Sequence, residues 1–361
     1  MTRNEGQASV ILDNVCKLIQ KKVRADNVLL VEKFAKALYS NMSKEDLANR
    51  NDSDLYGAAL SLWNSLEKNT SDDAVIRVFN PEVAKDGWQS SHTIVEIIAK
   101  DMPFLVDSVR MAMTRENIAS HLLLHSPLKI QRDKNEKISG LSSLKAEQES
   151  TSTKTVFFIE IDRQTDATVI ESFKKELESV LVDVSVAVED WQPIREKLIA
   201  VSKSLPKSHK DKNDNEINET VEFLDWLVKD NFTLMGYRQY ELSPVQGDYQ
   251  LKGKMDTSLG LMKNSDAEHT RLLSELPEVA RQEARSSNLL ILTKTNSLSR
   301  VHRPAYIDYV GVKRFDDKGN VIGEDRFIGL FSSNLNWFPL RLLIRNHPVL
   351  AITHIGDSPL G

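Results

Sequence analysis

Hydrophobic positions change their spacing along this chain, from a helical start to a strand-rich remainder. Through residues 7–70 apolar side chains recur every three or four positions, as in ASVILDNVCKLIQKKV and VLLVEKFAKALY. That spacing is the period of an amphipathic helix. From about Asp72 short β-branched runs such as AVIRVF and HTIVEIIA replace it, and these are typical of strands. We therefore expect a small helical layer followed by a sheet.

The segment from His92 to Trp191 alternates strand and helix patterns in a definite order. Strands are predicted at HTIVEIIA, IASHLLLHSPLKI, TVFFIEI and VDVSVAVEDW, and helices at PFLVDSVRMAM and ATVIESFKKELESVL. The order β-α-β-β-α-β is the split βαβ, or ferredoxin-like, arrangement. Residues 132–154 are polar and almost without large apolar groups, which predicts a long solvated hairpin loop.

The remainder of the chain is predicted to be a mainly antiparallel α+β domain. A charged stretch, KSHKDKNDNEINE, is the best candidate boundary, and NETVEFLDWLVKD after it has helical period. NFTLMGYRQYEL, NLLILTKT, PAYIDYVGVKRF and NVIGEDRFIGLFSS are strand-like, and DDKGN predicts a hairpin turn in which Gly319 takes positive φ. The fold class is α+β, and the predicted segments are helical 1–71, a βαββαβ domain at 72–205, a linker at 206–219, an α+β domain at 220–333 and an atypical tail at 334–361.

A sharp corner joins the first long strand to its helix at Asp101-Met102-Pro103. Pro103 suits the first helical position, because its φ is fixed and it has no N–H to leave unpaired. A helix N-terminus attracts anions, so an amino-acid carboxylate would fit at this corner. A plain strand-to-helix turn explains the same residues without any ligand, and both interpretations stay open here.

Composition and charge favour an ordinary globular protein in a reducing compartment. The 361 residues carry a net charge of −5, which gives no electrostatic case for nucleic acid or an anionic membrane surface. The single cysteine, Cys16, cannot form an internal disulfide. No signal pattern opens the chain, and no apolar run reaches the roughly 18–20 residues of a membrane span. We expect a cytoplasmic protein without nucleic-acid or membrane partners.

The candidate chemistry outside the corner is sparse. No G-x-G or phosphate-loop pattern occurs, so no nucleotide cofactor is expected in this chain. His121 and His125 fall on a predicted strand, where about 13 Å separates them and they cannot share a metal; no metal site is expected. Arg300, His302 and Arg303 could form an anion site, although a solvated strand edge also explains them. Cys16 is read as a buried structural thiol.

The β-α-β-β-α-β order with an Asp-x-Pro corner resembles the ACT domain. The resemblance implies an amino-acid effector bound at the corner. ACT domains typically carry glycine after the proline, where this chain has phenylalanine. The residues implied in effector binding are Asp101, Met102, Phe104, Asp107 and Arg110.

A longer resemblance, from roughly Ala58 to Ser333, is to the large bacterial NAD-specific glutamate dehydrogenases. It is carried, in order, by KDMPFLVDSVRMAM, VEDWQPIREKL, FLDWLVKDNFTLMGYRQYEL, SLGLM and VHRPAYIDYVGVKRFDDKGNVIGEDRFIGLFSS. It implies an N-terminal regulatory region with ACT-like and PAS-like domains, without the catalytic domain. NAD would serve only the whole enzyme, which would oxidise L-glutamate to 2-oxoglutarate and ammonium. Partners would be the rest of the chain, other subunits of a homo-oligomer and an amino-acid effector.

Two alternatives to that assignment remain. A stand-alone amino-acid-binding or interaction module of ACT and PAS-like type would have the same sequence features. An independent small enzyme would show glutamate-dependent NAD reduction by itself. The tail after Ser333 does not resemble the family, and a truncated or frame-shifted gene product is one hypothesis for it.

Overall fold

A computed structural model of the protein describes residues 3–144, 152–208, 214–263 and 270–332. The chain divides into two compact units, Met1–Leu181 and Val182–Gly361. The predicted tail at 334–361 and the middle of the predicted linker lie outside the described residues.

The first unit combines short and long helices with five strands. The helical pattern predicted for the first seventy residues is confirmed, and the Ser43 hydroxyl caps α3 by accepting a hydrogen bond from the Asp46 N–H (3.0 Å). The elements are α1 (Arg3–Lys22), α2 (Val28–Tyr39), α3 (Lys44–Ala48), α4 (Asp52–Lys68), β1 (Val75–Phe79), α5 (Val83–Asp86), β2 (Thr93–Lys100), α6 (Leu105–Arg115), β3 (Ser120–Arg132), β4 (Ile138–Ser143), β5 (Ser152–Ile161) and the first part of α7 (Ala167–Glu189), whose residues from Val182 onward belong to the second unit.

The five strands form one antiparallel sheet in the order β1-β2-β5-β3-β4. Side chains alternate between its faces. Ile94, Ile98 and Phe158 on one face share a core with the helices, including Phe34 and Trp63. The helical layer is therefore packed on the sheet and stabilised by burial of a common apolar core.

The α+β class is confirmed, but the strand predicted at VDVSVAVEDW is wrong. α7 continues through it to Glu189. Leu181, Val184 and Ala187 are buried, and their spacing of three fits a helix; the alternating valines fitted both periods. The edge of the sheet beside β2, where a ferredoxin-like order places its last strand, is occupied by β1.

The prediction of a solvated loop at residues 132–154 is also partly wrong. Within it β4 pairs with β3 as a hairpin, because Ile138 and Leu141 are both buried although apolar residues are few there. Residues 145–151 lie outside the described residues.

The second unit places two helices against a seven-stranded antiparallel sheet of order β10-β11-β12-β6-β7-β9, with β8 paired to β6. The predicted hairpin turn is confirmed, since the Asp316 N–H donates to the Asn320 carbonyl (2.9 Å) and Gly319 has φ +79°. The elements are α8 (Trp191–Ser208), α9 (Asp214–Trp226), β6 (Phe232–Val245), β7 (Asp248–Gly253), β8 (Leu259–Gly260), β9 (Thr270–Leu272), α10 (Glu278–Arg285), β10 (Leu290–Leu298), β11 (Tyr306–Phe315) and β12 (Val321–Phe331).

The core of the second unit lies between α8, α9 and one face of this sheet. Leu198 and Phe223 from the helices meet Tyr237, Val310 and Phe327 from the strands. Among the described residues of both units, no helix has the length and apolar character needed to cross a membrane.

Candidate functional site

The predicted corner lies where β2 ends and the chain turns into α6. The Asp101 N–H donates to the carbonyl of Thr153 (3.1 Å), which continues the pairing with β5 by one residue. One carboxylate oxygen of Asp101 accepts a hydrogen bond from the Thr155 hydroxyl (2.5 Å). Asp101 is thus fixed on the sheet, with its side chain only partly buried.

Phe104 adopts an uncommon backbone conformation at this corner. Pro103 was predicted to be the first helical residue, and this is wrong: α6 begins at Leu105, with Phe104 as its N-cap at φ +68°. The Phe104 carbonyl accepts the Ser108 N–H (2.9 Å) and closes the first turn. A positive φ is rare for a bulky residue, because Cβ approaches the backbone. Phenylalanine therefore keeps the left-handed geometry at the position where the ACT resemblance expects glycine.

Substitutions at Phe104 should reveal this backbone strain. We expect the free energy of unfolding of Phe104→Gly to exceed that of Phe104→Ala by about 1 kcal/mol. Both variants lack the ring, and only alanine retains the cost of a left-handed backbone. Arg110→Ala and Arg110→Gly, within α6, are the controls. Here the alanine variant should be the more stable one, because alanine is more favourable than glycine in a helix interior. Chemical denaturation of the four variants measures both differences. Alanine equal to or better than glycine at Phe104 would rule the strain out.

The five corner residues lie close together along the chain and differ in their exposure. Met102 and Phe104 are half-buried, whereas Asp107 and Arg110 are exposed on α6. Asp101 alone among them has its carboxylate anchored on a neighbouring strand. The corner offers an open surface with one fixed carboxylate and the first turn of a helix.

The predicted anion site occupies the loop between β10 and β11. Arg300, His302 and Arg303 do not lie on a strand, so the alternative of a solvated strand edge is wrong. An Arg300 guanidinium nitrogen lies 3.3 Å from a carboxylate oxygen of Asp183. Arg303 donates to the carbonyl of Phe331 (2.5 Å). Both arginines already contact protein groups, and they contact different elements.

The structure also places the two histidines and the cysteine that the sequence singled out. His121 and His125 lie on β3, and His121 Nε2 is 2.6 Å from Asp162 Oδ1. Cys16 is buried, as expected for a structural thiol. No cluster of three or more metal-ligating side chains occurs within the described ranges.

Sequence analysis missed two buried carboxylates on the helix-covered face of the first sheet. Glu160 is 3% exposed and accepts hydrogen bonds from Nη1 and Nη2 of Arg50, at 2.5 and 2.6 Å. Glu96 is 1% exposed and accepts from Arg77 Nη1 at 2.7 Å. The available signal was a lone glutamate inside each apolar run, HTIVEIIA and TVFFIEI.

Burial raises the pKa of the Glu96 carboxyl above its usual 4.5, and Arg77 offsets only part of that effect. The folded protein therefore binds this proton more tightly than the unfolded chain, and the contribution of Glu96 to stability falls as the pH rises through the raised pKa. The E96Q variant lacks this titration. We expect the free energy of unfolding of E96Q, relative to the original protein, to improve between about pH 4 and about pH 7. Urea unfolding at several pH values checks this, and a difference independent of pH would contradict it.

Three of the segments that carry the resemblance meet inside the second unit. Asp190, from VEDW, accepts the Gly260 N–H (2.6 Å) and binds the Lys263 ammonium (2.7 Å). Arg238, from the strand FTLMGYRQYEL, is fully buried and donates to the Ser258 hydroxyl (2.7 Å). It also donates to the carbonyl of Met262. These residues fix the SLGLM segment against β6, and their described contacts are structural ones.

Comparison with known proteins identifies relatives for nearly the whole chain. Residues 34–177 match the family model for the ACT1 domain of glutamate dehydrogenase. The NAD-specific glutamate dehydrogenase of Halomonas elongata is 32% identical over 355 residues, covering 97% of this chain and 22% of that protein. The corresponding protein of Pseudomonas aeruginosa is 34% identical over 302 residues, covering 84% of this chain and 19% of that protein. The chain thus spans about a fifth of the length of these curated relatives.

Proposed function

Because this chain belongs to the family of NAD-specific glutamate dehydrogenases as an N-terminal region, we propose that it is a regulatory and assembly part of such an enzyme. The whole enzyme would oxidise L-glutamate to 2-oxoglutarate and ammonium and reduce NAD. This region would carry no step of that reaction. The main support is the ACT1 match at residues 34–177, which takes in the end of α2, α3, α4 and the whole first sheet.

The corner after β2 is the proposed position of an amino-acid effector. The first turn of α6 presents backbone N–H groups that favour a carboxylate. Asp101, which Thr155 holds in place, would accept a hydrogen bond from the ammonium group of the effector. Phe104 maintains the left-handed turn, so its ring would limit how far a ligand approaches the backbone.

Regulation further requires that the effector bind two states of the enzyme with different affinity. β1 and β4 form the two edges of the first sheet, and unpaired strand edges favour pairing with another chain. This supports contacts with other subunits in a homo-oligomer. We propose that the antiparallel sheet of the second unit, backed by helices, is the PAS-like domain that the resemblance implies. Cytoplasmic location and the segment boundaries stay predictions.

The assignment is tested with this chain and the full-length dehydrogenase side by side. We expect the chain alone to give no glutamate-dependent NADH above background, while the full-length enzyme turns over and changes rate with the amino acid that binds the chain. NADH formation by the chain alone would identify an independent enzyme. Binding of an amino acid without any change in the full-length rate would favour a stand-alone module.

A further inference from the structure

A polar cleft opens in the first unit, on a side of the fold that the proposed corner site does not use. It lies between α4 and β1, with the end of α1 and the end of α5 at its margins, and has a volume of about 840 Å³. Small-molecule sites commonly have volumes of about 300–1,000 Å³. The cleft is therefore large enough for a small organic ligand.

The charge of the lining is predominantly positive. Lys22, Lys68 and Arg77 line the cleft together with Asp86; Glu96 balances the charge of Arg77, so the two lysines supply the positive excess. Lys22 and Lys68 are exposed and form no ion pair within the described part of the chain. Local cationic charge on a protein of net charge −5 concentrates anions at that place.

Arg77 is held rigidly beside the cleft. Its Nη1 lies 2.7 Å from Glu96, 2.9 Å from the Ser61 hydroxyl and 3.4 Å from the Ser65 hydroxyl. The guanidinium also stacks over the ring of Phe79 at 4.3 Å. Nη2 and Nε make no hydrogen bond among the described residues, so the fork retains donors. A fixed guanidinium with free donors is well suited to a carboxylate or phosphate.

Asn69 belongs to the same lining and has an unused acceptor. Its side chain is buried, and Nδ2 donates to the Asp73 carbonyl at 2.9 Å. Its Oδ1 is buried without a hydrogen-bond partner in the described structure. An unsatisfied buried acceptor is costly, and a ligand hydroxyl or ammonium group would satisfy it. Hydroxyl groups of Ser61 and Ser65 add further hydrogen-bonding capacity.

From these contacts we infer that the cleft between α4 and β1 binds a small organic anion, its phosphate or carboxylate group held by Arg77, Lys22 and Lys68 and a hydroxyl or ammonium group held by Asn69. Phosphate and carboxylate ligands of this kind have the same chemistry, one anionic group joined to hydrogen-bond donors. Binding here is independent of the regulatory proposal, which only a change in dehydrogenase rate would test.

The experiment uses this chain with three probes: ribose 5-phosphate, L-malate and ribose. Affinity is measured by calorimetry, and the site is located by lysine acetylation followed by mass spectrometry. A phosphate ligand predicts saturable binding of ribose 5-phosphate, a carboxylate ligand predicts binding of malate, and ribose should bind far more weakly than either. Protection should fall on Lys22 and Lys68 and spare Lys17 and Lys33.

A matched pair of double variants separates specific binding from net charge. The double variant Lys22→Gln/Lys68→Gln should bind the probe with an affinity at least about tenfold lower. Lys17→Gln with Lys33→Gln makes the same charge change on exposed helix positions outside the cleft and should leave the affinity unchanged. Equal losses in both double variants, no saturable binding of either anion, or protection elsewhere would overturn the inference. Since all four lysines are exposed, both double variants should keep the melting temperature of the original chain.

Discussion

Replacing Arg50 by methionine is expected to lower the free energy of unfolding of the first unit by about 3 kcal/mol or more. The reason is the carboxylate that the substitution leaves behind. Glu160 is 3% exposed and has both oxygens bonded to Arg50, so without that partner its charge stays buried, with the His92 imidazole 3.8 Å away. Urea denaturation followed by circular dichroism measures the loss.

A second substitution distinguishes an uncompensated charge from lost packing. Adding Glu160→Leu to Arg50→Met removes the stranded charge, and should recover most of the stability, since apolar replacement of a whole buried pair is often nearly neutral. Arg24→Met, at an exposed position, is the control and should cost less than about 0.5 kcal/mol. If Arg50→Met costs no more than this control, the ion pair does not stabilise the unit.

Replacing Gly260 by alanine is expected to destabilise the second unit by about 3 kcal/mol or more. Gly260 has φ +60°, and an added Cβ would lie 2.1 Å from the carbonyl oxygen of Met235. Because the clash is with backbone atoms and not with a flexible side chain, it can be relieved only by moving β8 away from β6. That movement would also strain the hydrogen bond from the Gly260 N–H to Asp190.

Gly247→Ala is the matched control for this clash. Gly247 also has positive φ, +87°, but an added Cβ would meet nothing within 4 Å. Its substitution should show only the left-handed penalty of about 1 kcal/mol. Thermal and urea unfolding of both variants give the difference, and equal losses at the two glycines would show that the close approach to Met235 has no energetic effect.

Elements that leave one clear hydrophobic pattern could be predicted from the sequence. β2 and β5 are buried on both faces and are therefore nearly continuous apolar runs, whereas the first turns of α7 keep the period of a helix with one apolar face. The prediction failed at residues 182–191, where alternating valines satisfy the strand period while Leu181, Val184 and Ala187 satisfy the helical one. Only the packing of the folded chain decides between two periods that fit equally.

The corner was located from sequence because Asp101 and Pro103 mark the change of period. The left-handed Phe104 was not predicted, since glycine is the usual residue at such a φ. The partners of Glu160 and Glu96 were also beyond local reasoning: Arg50 and Glu160 are 110 residues apart. An apolar run can show that a glutamate is out of place, but long-range pairing appears only in the fold.

The central claim, that this region binds an effector and performs no catalysis, is tested most directly by a thermal-shift scan of the chain. The ligands are the common amino acids, including glutamate, together with NAD. We predict that one amino acid raises the melting temperature, since a ligand at about 100 times its dissociation constant adds roughly 2.7 kcal/mol of stability. The shift should be lost in the Asp101→Asn variant. NAD should give no shift. Stabilisation by NAD, or no shift with any amino acid, would contradict the account.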